Sequence, residues 1–572
     1  MSKKKIIPYG ISNYNLVRNE KYIYVDKTKY IELLEEDFPY AFIVRPRRFG
    51  KTLFTGMLRS YYDIVEADDF EKNFSGTYIG SNKTELANSF RVLHLNFSGL
   101  ASCKVEENIV ASLKSSFDLF LNNYPDKNCE KIIKGKYTDP SILLNDFLKS
   151  IYKKYGQTLY VIIDEYDQFA NEILSQDRES FKKMTSSSGL LKNFYAKLKE
   201  ATEKGGAVAR IFITGVTKIS LDSMTSGFNI ASDLTNEPSF AAMFGFTADE
   251  VRDIIAQTVD LDRYGKSAEE ILERMMDLYD GYVFTPENEI HVFNSSMSLY
   301  YLFSIARKNT EPRVLLDPSF SQDLSKIHGI LSLGSKTEIE EIVDSVISSN
   351  NIDLTSDISR CININSNNNI LEKEDILLIM VNFGYLTIKE SGNSLAVPNI
   401  VVRKQFFEYY IKYIRYLKVV SLSPRDEQIT IIQLEKGNPI PFVEAVCSKL
   451  DKVSGINHFL HMRENDICSI LGAATSNLLD FRPFLGDEVK GEDKGYADLI
   501  LKPEQPGGIS YLFEFKFLTK KMGTQANVDA RLAEAQSQLA KYRKGENIAS
   551  LPNLKCVACV FVGLKLAGYS LS

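Results

Sequence analysis

The sequence predicts an α/β protein in which a parallel sheet covered by helices is followed by a helical region and by a second, smaller α/β unit. Apolar strand-like runs alternate with longer helical patterns through the first third of the chain, as is typical of parallel sheets. From about residue 247 the pattern becomes amphipathic helix, and strands return after about residue 441. With 572 residues, the chain is long enough for about three domains of roughly 100–200 residues each.

The strands of the first sheet are predicted from four apolar runs. They are YAFIV just before Arg45, VLHLNF at 92–97, LYVIID at 159–164 and ARIFITG at 209–215. Long helical patterns separate these runs, so we predict parallel pairing and a first domain over residues 1–245.

The middle of the chain, residues 246–440, is predicted to be a helical lid followed by a winged-helix-like segment. TADEVRDIIAQTV and AEEILERMMDLYDGY have helical periodicity, and Thr247 with Glu250 fits a capping box. The Asn- and Ser-rich residues 347–369 predict a loop. EKEDILLIMVNFGYLTIKESGNSLAVPN then predicts helix, strand, turn and strand.

The second α/β unit is predicted over residues 441–572. We expect a helix at 467–479, strands at YADLIL and YLFEFKF, a helix at ARLAEAQSQLAKYRK and a closing strand at CVACVFVG. Cys556 and Cys559 form a CxxC, but no second CxxC or nearby His completes four ligands. A strand core is therefore the preferred interpretation over a metal or redox pair.

Composition excludes several classes of protein. A hydrophobic fraction of 44% with 25% charged residues is typical of a soluble globular protein. No run approaches the roughly 18 apolar residues of a membrane span, so we expect a cytoplasmic protein with no membrane partner. Seven cysteines without repeated spacing argue against a disulfide framework. The net charge of −6 does not by itself indicate nucleic-acid binding.

The stretch RPRRFGKT, residues 45–52, predicts a phosphate-binding turn between a strand and a helix. It ends in Gly50, Lys51 and Thr52 like the GxxxxGK(S/T) pattern, although Arg45 occupies the position of the first glycine. Lys51 would bind the β and γ phosphates, the Thr52 hydroxyl would bind Mg²⁺, and helix N-terminal N–H groups would hold phosphate oxygens.

An acidic pair and a threonine follow two of the other strands. Asp164 and Glu165 end LYVIIDE, where Asp164 can hold the Mg²⁺ shell and Glu165 can orient the attacking water. Glu165 as a structural carboxylate without a role in hydrolysis stays an alternative. Thr214 ends the run IFIT and could sense the γ phosphate, the alternative being an ordinary strand-terminating turn.

These motifs together resemble the bacterial AAA-ATPase-like family. The resemblance rests on RPRRFGKT, YIYVDKT at 22–28, IIDEYD, FITGVTKIS, SGFN at 226–229 and YDGYVF at 279–284. It implies a P-loop NTPase domain that binds ATP at Gly50, Lys51 and Thr52, with Asp164 and Glu165 as the Walker B pair. It also implies a C-terminal PD-(D/E)XK nuclease-like domain.

The other residues of the loop are predicted to lie beside the nucleotide. We include Arg47, Arg48 and Phe49 among the residues that bind it. Two interpretations of Arg45, Arg47 and Arg48 stay open: they neutralise γ-phosphate charge, or they are solvated loop residues.

A second set of polar residues in the C-terminal unit predicts a metal-dependent phosphodiesterase site. The turn PEQPGG would make YADLIL and YLFEFKF a hairpin that brings Asp498 near Glu514. Glu514 and Lys516 would share one strand face, opposite the phenylalanines. Carboxylates supply the oxygen ligands that Mg²⁺ prefers, and the lysine can stabilise developing charge. An ordinary strand face with a salt bridge is the alternative.

The resemblance to PD-(D/E)XK nucleases adds two residues. Glu464 corresponds to a metal-facing helix glutamate, with a helix-capping acid as the alternative. Asn465 and Asp466 stand where the family commonly has Tyr-His. This departure weakens the assignment of Glu464 as a metal ligand. Gln538 corresponds to a helix glutamine that supports the lysine or contacts DNA.

The sequence thus predicts an ATPase coupled to a Mg²⁺-dependent DNA nuclease. Defence or the handling of mobile elements is suggested only by association with the family. One alternative is an ATP-driven switch whose nuclease fold binds nucleic acid or protein without cutting. Another is a homo-oligomeric scaffold with slow or no ATP turnover.

Overall fold

The computed structural model of the chain forms two compact units. The first comprises residues 1–342 and 350–403, and the second comprises residues 343–349 and 404–572. The residues described are 4–97, 104–168, 189–218, 229–287, 290–317, 338, 341–342, 345, 351–354, 357–358, 372–389, 394–403, 424–452, 471, 481–489, 495–503, 507–519, 522–563 and 565–572.

The helices and strands of the first unit follow in chain order. Its helices are α1 Tyr14–Asn19, α2 Lys29–Asp37, α3 Lys51–Tyr62, α4 Phe70–Phe74, α5 Tyr78–Ser81, α6 Val105–Asn123, α7 Lys127–Lys134, α8 Pro140–Tyr155, α9 Leu190–Glu200, α10 Ala248–Thr258, α11 Leu261–Tyr264, α12 Ala268–Tyr279, α13 Ser295–Lys308 and α14 Lys373–Phe383. Its strands are β1 Tyr40–Val44, β2 Arg91–Asn96, β3 Leu159–Asp164, β4 Val208–Gly215, β5 Ser232–Asp233, β6 Ile352–Asp353, β7 Thr387–Ile388 and β8 Ser394–Ala396.

The first sheet has the order β2-β3-β4-β1-β5, and all of its strand pairs are parallel. The four predicted strands and their parallel pairing are confirmed. Strand β5 has two residues, too few for a sequence pattern. Every residue of β3 is buried, which a parallel sheet achieves when helices cover both of its faces.

The aligned ends of the strands position the polar residues of this unit. Val44 is opposite Gly215, and Asn96 is opposite Asp164. The carboxyl ends of β1, β4 and β3 therefore meet at one edge of the sheet, with β4 in the middle. In open parallel sheets ligands bind beyond this edge.

Helices α10, α12 and α13 form a separate apolar core after the sheet, as the sequence predicts. The capping box of Thr247 and Glu250 at the start of α10 is confirmed. The predicted order of helix and two strands after residue 372 is confirmed by α14, β7 and β8. The Asn- and Ser-rich residues 347–369, predicted as a loop and described only in part, contain strand β6, which pairs with β8.

The second unit is built on a five-stranded sheet of order β13-β12-β11-β10-β9. Its elements are α15 Pro424–Glu435, α16 Ile440–Lys452, β9 Phe481–Val489, β10 Gly495–Pro503, β11 Tyr511–Leu518, α17 Gln525–Tyr542, α18 Glu546–Ala549, β12 Lys555–Val562 and β13 Lys565–Leu571. The expected closing strand, β12, is followed by β13, which pairs antiparallel with β12 from Lys565 to Leu571 and forms the edge of the sheet. The predicted helix at 467–479 lies outside the described residues apart from Leu471.

The CxxC belongs to the strand core, as expected. Cys556 and Cys559 are buried in different apolar clusters on the two faces of β12, because residues three apart on a strand point to opposite sides. Burial raises the pKa of both thiols, which disfavours metal-binding thiolates.

No helix in the described ranges combines the length and apolarity needed to cross a membrane.

Glu250 has two structural roles that can be separated by mutation. It closes the capping box with Thr247, and its carboxylate accepts hydrogen bonds from Lys27 Nζ at 2.7 and 2.8 Å. Thr247→Ala removes a cap, which commonly costs about 1 kcal/mol. Glu250→Ala also leaves the Lys27 ammonium without its carboxylate, a loss of about 3 kcal/mol in fully buried pairs and less here, since Glu250 is 25% exposed.

We therefore expect Glu250→Ala to lower the free energy of unfolding more than Thr247→Ala, measured by urea denaturation. Glu250→Gln keeps an acceptor for the cap and should lie between them. Equal losses in the two alanine variants would contradict the second role of Glu250.

Candidate functional site

The loop between β1 and α3 has a backbone that few sequences adopt. Gly50 has φ of +94° and Arg48 has φ of +69°. Glycine adopts this left-handed conformation at little cost, whereas in Arg48 the Cβ lies too close to the following carbonyl oxygen and makes it unfavourable. Such strain in a non-glycine residue is typical of ligand-binding and catalytic turns. Helix α3 begins at Lys51, so its N-terminal N–H groups face the space beyond the loop.

Lys51 lies beneath this loop, almost completely buried. Its Nζ donates to the carbonyl oxygens of Arg45 at 2.9 Å and Pro46 at 3.0 Å. Burial lowers the pKa of Lys51 to about 8, against the opposing effect of Asp164 and Glu165. An ammonium that rests on two neutral carbonyls can exchange them for phosphate oxygens, which form stronger charge-assisted bonds.

For Arg45 both interpretations are wrong, because its side chain is neither solvated nor directed at a phosphate position. It is 1% exposed. Its guanidinium donates to the carbonyl oxygens of Val44 at 2.9 Å, Thr235 at 2.7 Å and Phe240 at 3.2 Å. It also lies 4.3 Å from the ring centroid of Phe284. Arg45 therefore ties the start of the loop to the segment after β5.

The Phe49 ring belongs to the core beside the loop. It packs edge-on against Tyr282 at 4.9 Å and Phe284 at 5.5 Å between ring centroids, and the Phe49 carbonyl accepts a hydrogen bond from Gly245 N at 3.1 Å. The YDGYVF motif thus supplies the aromatic side chains against which the loop packs. With its ring engaged in this way, the main contribution of Phe49 to a bound nucleotide would come from its backbone.

Asp164 and Thr214 are both completely buried at the carboxyl ends of adjacent strands. Within the described part of the chain, neither carboxylate oxygen of Asp164 has a hydrogen-bond partner, and neither has the Thr214 hydroxyl. A buried carboxylate without hydrogen bonds is costly and calls for a compensating ligand. A cation next to Asp164 would supply that compensation.

Glu165 is turned into the site by an unusual backbone. Its φ is +54°, and Gln168 N donates to the Glu165 carbonyl oxygen at 3.1 Å. Burial raises the pKa of Glu165, while Lys51 acts in the opposite direction. A carboxylate of raised pKa accepts a proton more readily than an exposed one.

Asp167 is a residue of this site that the sequence reasoning did not single out. Its carboxylate accepts hydrogen bonds from Val216 N at 3.0 Å, Thr217 N at 2.6 Å and Thr217 Oγ1 at 2.7 Å. A Cβ on Gly215 would lie 2.3 Å from Asp167 Oδ1, so only glycine permits this approach. The second aspartate of the DEYD sequence, together with the glycine of TGVT, was the signal that could have indicated the contact.

A cavity of about 500 Å³ opens beside these residues. Its lining includes the polar residues Lys51, Thr52 and Glu165 and apolar residues such as Phe246 and Leu299. This size and this mixed lining suit a small ligand with a charged part and an apolar part.

Arg47 and Arg48 differ in their contacts, although both are partly buried and line the cavity. Arg47 Nη2 donates to Gln168 Oε1. The Arg48 carbonyl accepts a hydrogen bond from Ser296 N at 3.2 Å. Arg47 therefore connects the loop to the acidic turn after β3, while the Arg48 backbone connects it to α13.

Thr52 and Asp164 carry oxygen groups that fit a magnesium ion bound together with a phosphate ligand. Across the described ranges, no group of three or more His, Cys, Asp and Glu side chains could hold a metal by itself. Mg²⁺ commonly uses one or two protein ligands plus substrate phosphates. The Thr52 hydroxyl and the Asp164 carboxylate, which has no hydrogen-bond partner among the described residues, would be those ligands.

The C-terminal unit brings three of its predicted residues together. Strands β10 and β11 pair antiparallel with Leu499 opposite Phe513, which confirms the expected hairpin and places Asp498 opposite Glu514. Asp498 Oδ2 accepts a hydrogen bond from Phe515 N at 2.7 Å. Glu514 Oε1 accepts one from Lys516 Nζ at 2.9 Å, and both side chains are buried.

The face of β11 that carries Glu514 is covered by α17. Phe513 and Phe515 lie in the core on the opposite face, as the period of two predicts. Gln538 of α17 is partly buried, and within the described residues its Oε1 has no hydrogen-bond partner. Glu464 lies outside the described residues, so its predicted role as a metal ligand stays a prediction.

Comparison with known proteins identifies the N-terminal part of the chain. Residues 8–225 match a family described as "Predicted AAA-ATPase", so this segment is AAA-ATPase-like and the family implies use of a nucleotide. The AAA-ATPase-like part of the resemblance is confirmed by this match. The C-terminal nuclease-like domain stays a prediction.

A relative from Azotobacter chroococcum mcd 1, described as an uncharacterized protein in the vnfD 5′ region, is 25% identical over 298 residues, or 51% of each chain. The chain thus spans about half the length of this relative. Among solved structures, Cdc6p of Pyrobaculum aerophilum is 12% identical with a TM-score of 0.28, covering 67% of this chain and 93% of its own. The Aeropyrum pernix ORC2 protein in ADPNP–ADP complexes is 12% identical with a TM-score of 0.30, covering 69% and 98%.

Neutralising Asp164 should stabilise the free protein and abolish its response to nucleotide. Asp164→Asn removes a buried carboxylate but also the opposite charge that favours the buried Lys51 ammonium, so we expect the free energy of unfolding without ligand to rise by no more than about 1 kcal/mol. The same variant should lose the increase in melting temperature that MgATP produces in the unmodified chain. Differential scanning fluorimetry with and without MgATP measures both effects.

Asp118→Asn, on the exposed surface of α6, is the matched control and should change neither quantity. A destabilised Asp164→Asn that still responds to MgATP would show that Asp164 is a structural residue.

Proposed function

We propose that the first unit binds and hydrolyses ATP. The observation that carries this proposal is that two buried charges lie at the same edge of one sheet: the Lys51 ammonium just after β1, and the Asp164 carboxylate at the end of β3, which has no hydrogen-bond partner in the described part of the chain. Charges are kept in such positions when a ligand uses them. The AAA-ATPase-like match over residues 8–225 supports ATP as that ligand.

In this proposal the polar residues that line the cavity hold the triphosphate. Lys51 releases the carbonyls of Arg45 and Pro46 and binds phosphate oxygens, while N–H groups at the start of α3 bind others. Mg²⁺, when bound by Thr52 and Asp164, supplies positive charge for the phosphate oxygens.

Glu165 acts on the attacking water. Its carboxylate accepts a proton from the water as the new oxygen–phosphorus bond forms. The bond between the γ phosphorus and the bridging oxygen breaks, and its electron pair stays on ADP. The proton then passes from Glu165 to the released phosphate. The Thr214 hydroxyl, between the ends of β1 and β3, would hydrogen-bond to the γ phosphate and so sense it.

Two substitutions separate binding from turnover. Lys51→Ala should weaken ATP binding at least tenfold, because the triphosphate loses its buried cation. Glu165→Gln should bind ATP with near-normal affinity and hydrolyse it about 100-fold more slowly, since an amide cannot accept the proton. Fluorescent nucleotide titration measures binding, and phosphate release measures turnover.

Unchanged phosphate release in both variants would exclude this site as the source of hydrolysis. ATP binding with no phosphate release by the unmodified chain would favour the scaffold with slow or no turnover.

We propose as a second function that the C-terminal unit cleaves DNA phosphodiester bonds with Mg²⁺. The observation that favours it is the cross-strand position of Asp498 and Glu514, with Lys516 bonded to Glu514 on the same strand. Two neighbouring carboxylates and a lysine are the groups that metal-assisted hydrolysis uses. Gln538 would support the lysine or contact DNA, and Glu464 would be a further metal ligand.

A plasmid-cleavage assay with Mg²⁺, with and without ATP, tests this proposal. Asp498→Asn and Lys516→Ala should each reduce cleavage at least 100-fold, while Lys541→Ala, exposed on α17, serves as the control. Cleavage that is equal in Asp498→Asn and the unmodified chain would refute it. ATP-dependent DNA retention on a gel without cleavage would support the binding switch instead.

A further inference from the structure

The segment from α14 to β8, residues 373–396, contacts the phosphate loop at Pro46. Gly384 caps the end of α14 with φ of +80°. A Cβ on Gly384 would lie 2.9 Å from the Cβ and 3.1 Å from the Cγ of Pro46, well below the roughly 3.5–4.0 Å of a favourable carbon–carbon contact. Glycine is therefore required at position 384 for two reasons, the left-handed backbone and the room taken by the Pro46 ring.

The YDGYVF motif, residues 279–284, joins the phosphate loop and the α14–β8 segment at a second place. The Tyr282 ring packs against the Phe49 ring of the loop, at 4.9 Å between centroids. The next residue, Val283, donates its backbone N–H to Thr387 Oγ1 of β7 at 2.8 Å, and the same hydroxyl donates to the Val283 carbonyl oxygen at 3.3 Å. Strand β7 is thus attached to the motif that supports the loop.

Little empty space separates α14 from the start of the loop. The cavity lined by Val44, Arg45 and Pro46 on one side and by Leu378 and Val381 of α14 on the other measures only about 20 Å³. Closely packed protein interiors have low compressibility and transmit displacements. A shift of Pro46 must therefore be accommodated by a shift of α14.

Pro46 also contacts the cation of the candidate nucleotide site. Its carbonyl oxygen accepts a hydrogen bond from Lys51 Nζ at 3.0 Å, and in the proposed function Lys51 releases this carbonyl to bind phosphate oxygens. Pro46 thus meets Lys51 through its carbonyl and Gly384 through its ring. Of the described residues of the α14–β8 segment, none lines the cavity of about 500 Å³. The segment would therefore respond to a nucleotide in that cavity through the loop.

We propose that Gly384 is a positioning residue of the phosphate loop, and that its contact with Pro46 couples the α14–β8 segment to nucleotide binding. This inference rests on the proposed binding of ATP in the same unit and is independent of hydrolysis. Because coupling between two sites is reciprocal, the segment fixes Pro46 for the nucleotide, and a bound nucleotide alters the surroundings of Gly384.

Gly384→Ala tests the coupling, with Gly265→Ala as the matched control. Gly265 caps α11 with φ of +79°, and a Cβ there would have no neighbour within 4 Å. Both variants carry similar backbone strain, so both should have a lower melting temperature. Gly384→Ala also displaces Pro46, and we expect the Kd of a fluorescent ATP analogue to rise about tenfold because the loop is no longer preorganised. Gly265→Ala should leave Kd unchanged.

A double-mutant cycle separates the contact from general destabilisation. Pro46→Gly removes the Cβ and Cγ that a side chain at position 384 would meet, and it keeps the carbonyl that Lys51 contacts. In the Pro46→Gly background, Gly384→Ala should therefore raise Kd by less than about twofold, since the two substitutions share one contact. Equal rises in Kd in both backgrounds, or equal Kd values for Gly384→Ala and Gly265→Ala, would overturn the inference.

A tryptophan reporter tests the opposite direction and does not depend on the folding of Gly384→Ala. The chain contains no tryptophan, so Phe383→Trp, at a half-buried position next to Gly384, gives a single fluorescence signal. Saturating MgATP should shift its emission, and the shift should be lost when Pro46→Gly is added. Tyr152→Trp, exposed on α8, is the control without a shift. Unchanged emission from Phe383→Trp would overturn the coupling.

Failure of this inference can be told apart from failure of the proposed function. If the unmodified chain binds the fluorescent ATP analogue and Lys51→Ala does not, the nucleotide site stands whatever Gly384 does. If the unmodified chain does not bind the analogue, the proposed function fails, and the coupling fails with it.

Discussion

The parallel register of β1, β4 and β3 is the constraint on which the first unit's site depends. Because the strands run in the same direction, the end of each strand delivers its polar residue to one edge of the sheet. Val44 leads into the phosphate loop, Thr214 lies on the central strand and Asp164 ends the third. A shift of one residue in either pairing would send Asp164 or Thr214 to the opposite face.

Much of this arrangement could be predicted from the sequence because it follows local patterns. The apolar runs before Arg45 and Asp164 are continuous, as buried parallel strands require. The ends of these runs agree with the observed strand ends to within one residue. The GKT sequence and the acidic pair after a buried strand indicated the polar edge. In the second unit, the turn between two apolar runs predicted the hairpin that brings Asp498 opposite Glu514.

The rest depended on contacts between distant residues that periodicity does not encode. Arginine is almost never fully buried unless it is paired, so a core position for Arg45 could not be predicted from its neighbours in the chain. Two of its three acceptors are backbone carbonyls some 190 residues away, and carbonyls have no sequence signal. Asp167 and Gln168 were missed for the same reason, since their partners lie in other loops.

The arginine in place of the first P-loop glycine changes how the loop is held. In a glycine-rich loop the backbone follows a ligand because few side chains restrict it. Here the start of the loop is fixed by three guanidinium hydrogen bonds from Arg45. The Phe49 ring also holds it by packing against Tyr282 and Phe284. The Arg45 and Pro46 carbonyls are thereby held where Lys51 Nζ reaches them. A loop fixed before phosphate arrives loses less conformational entropy on binding, which favours affinity for the ligand that fits it.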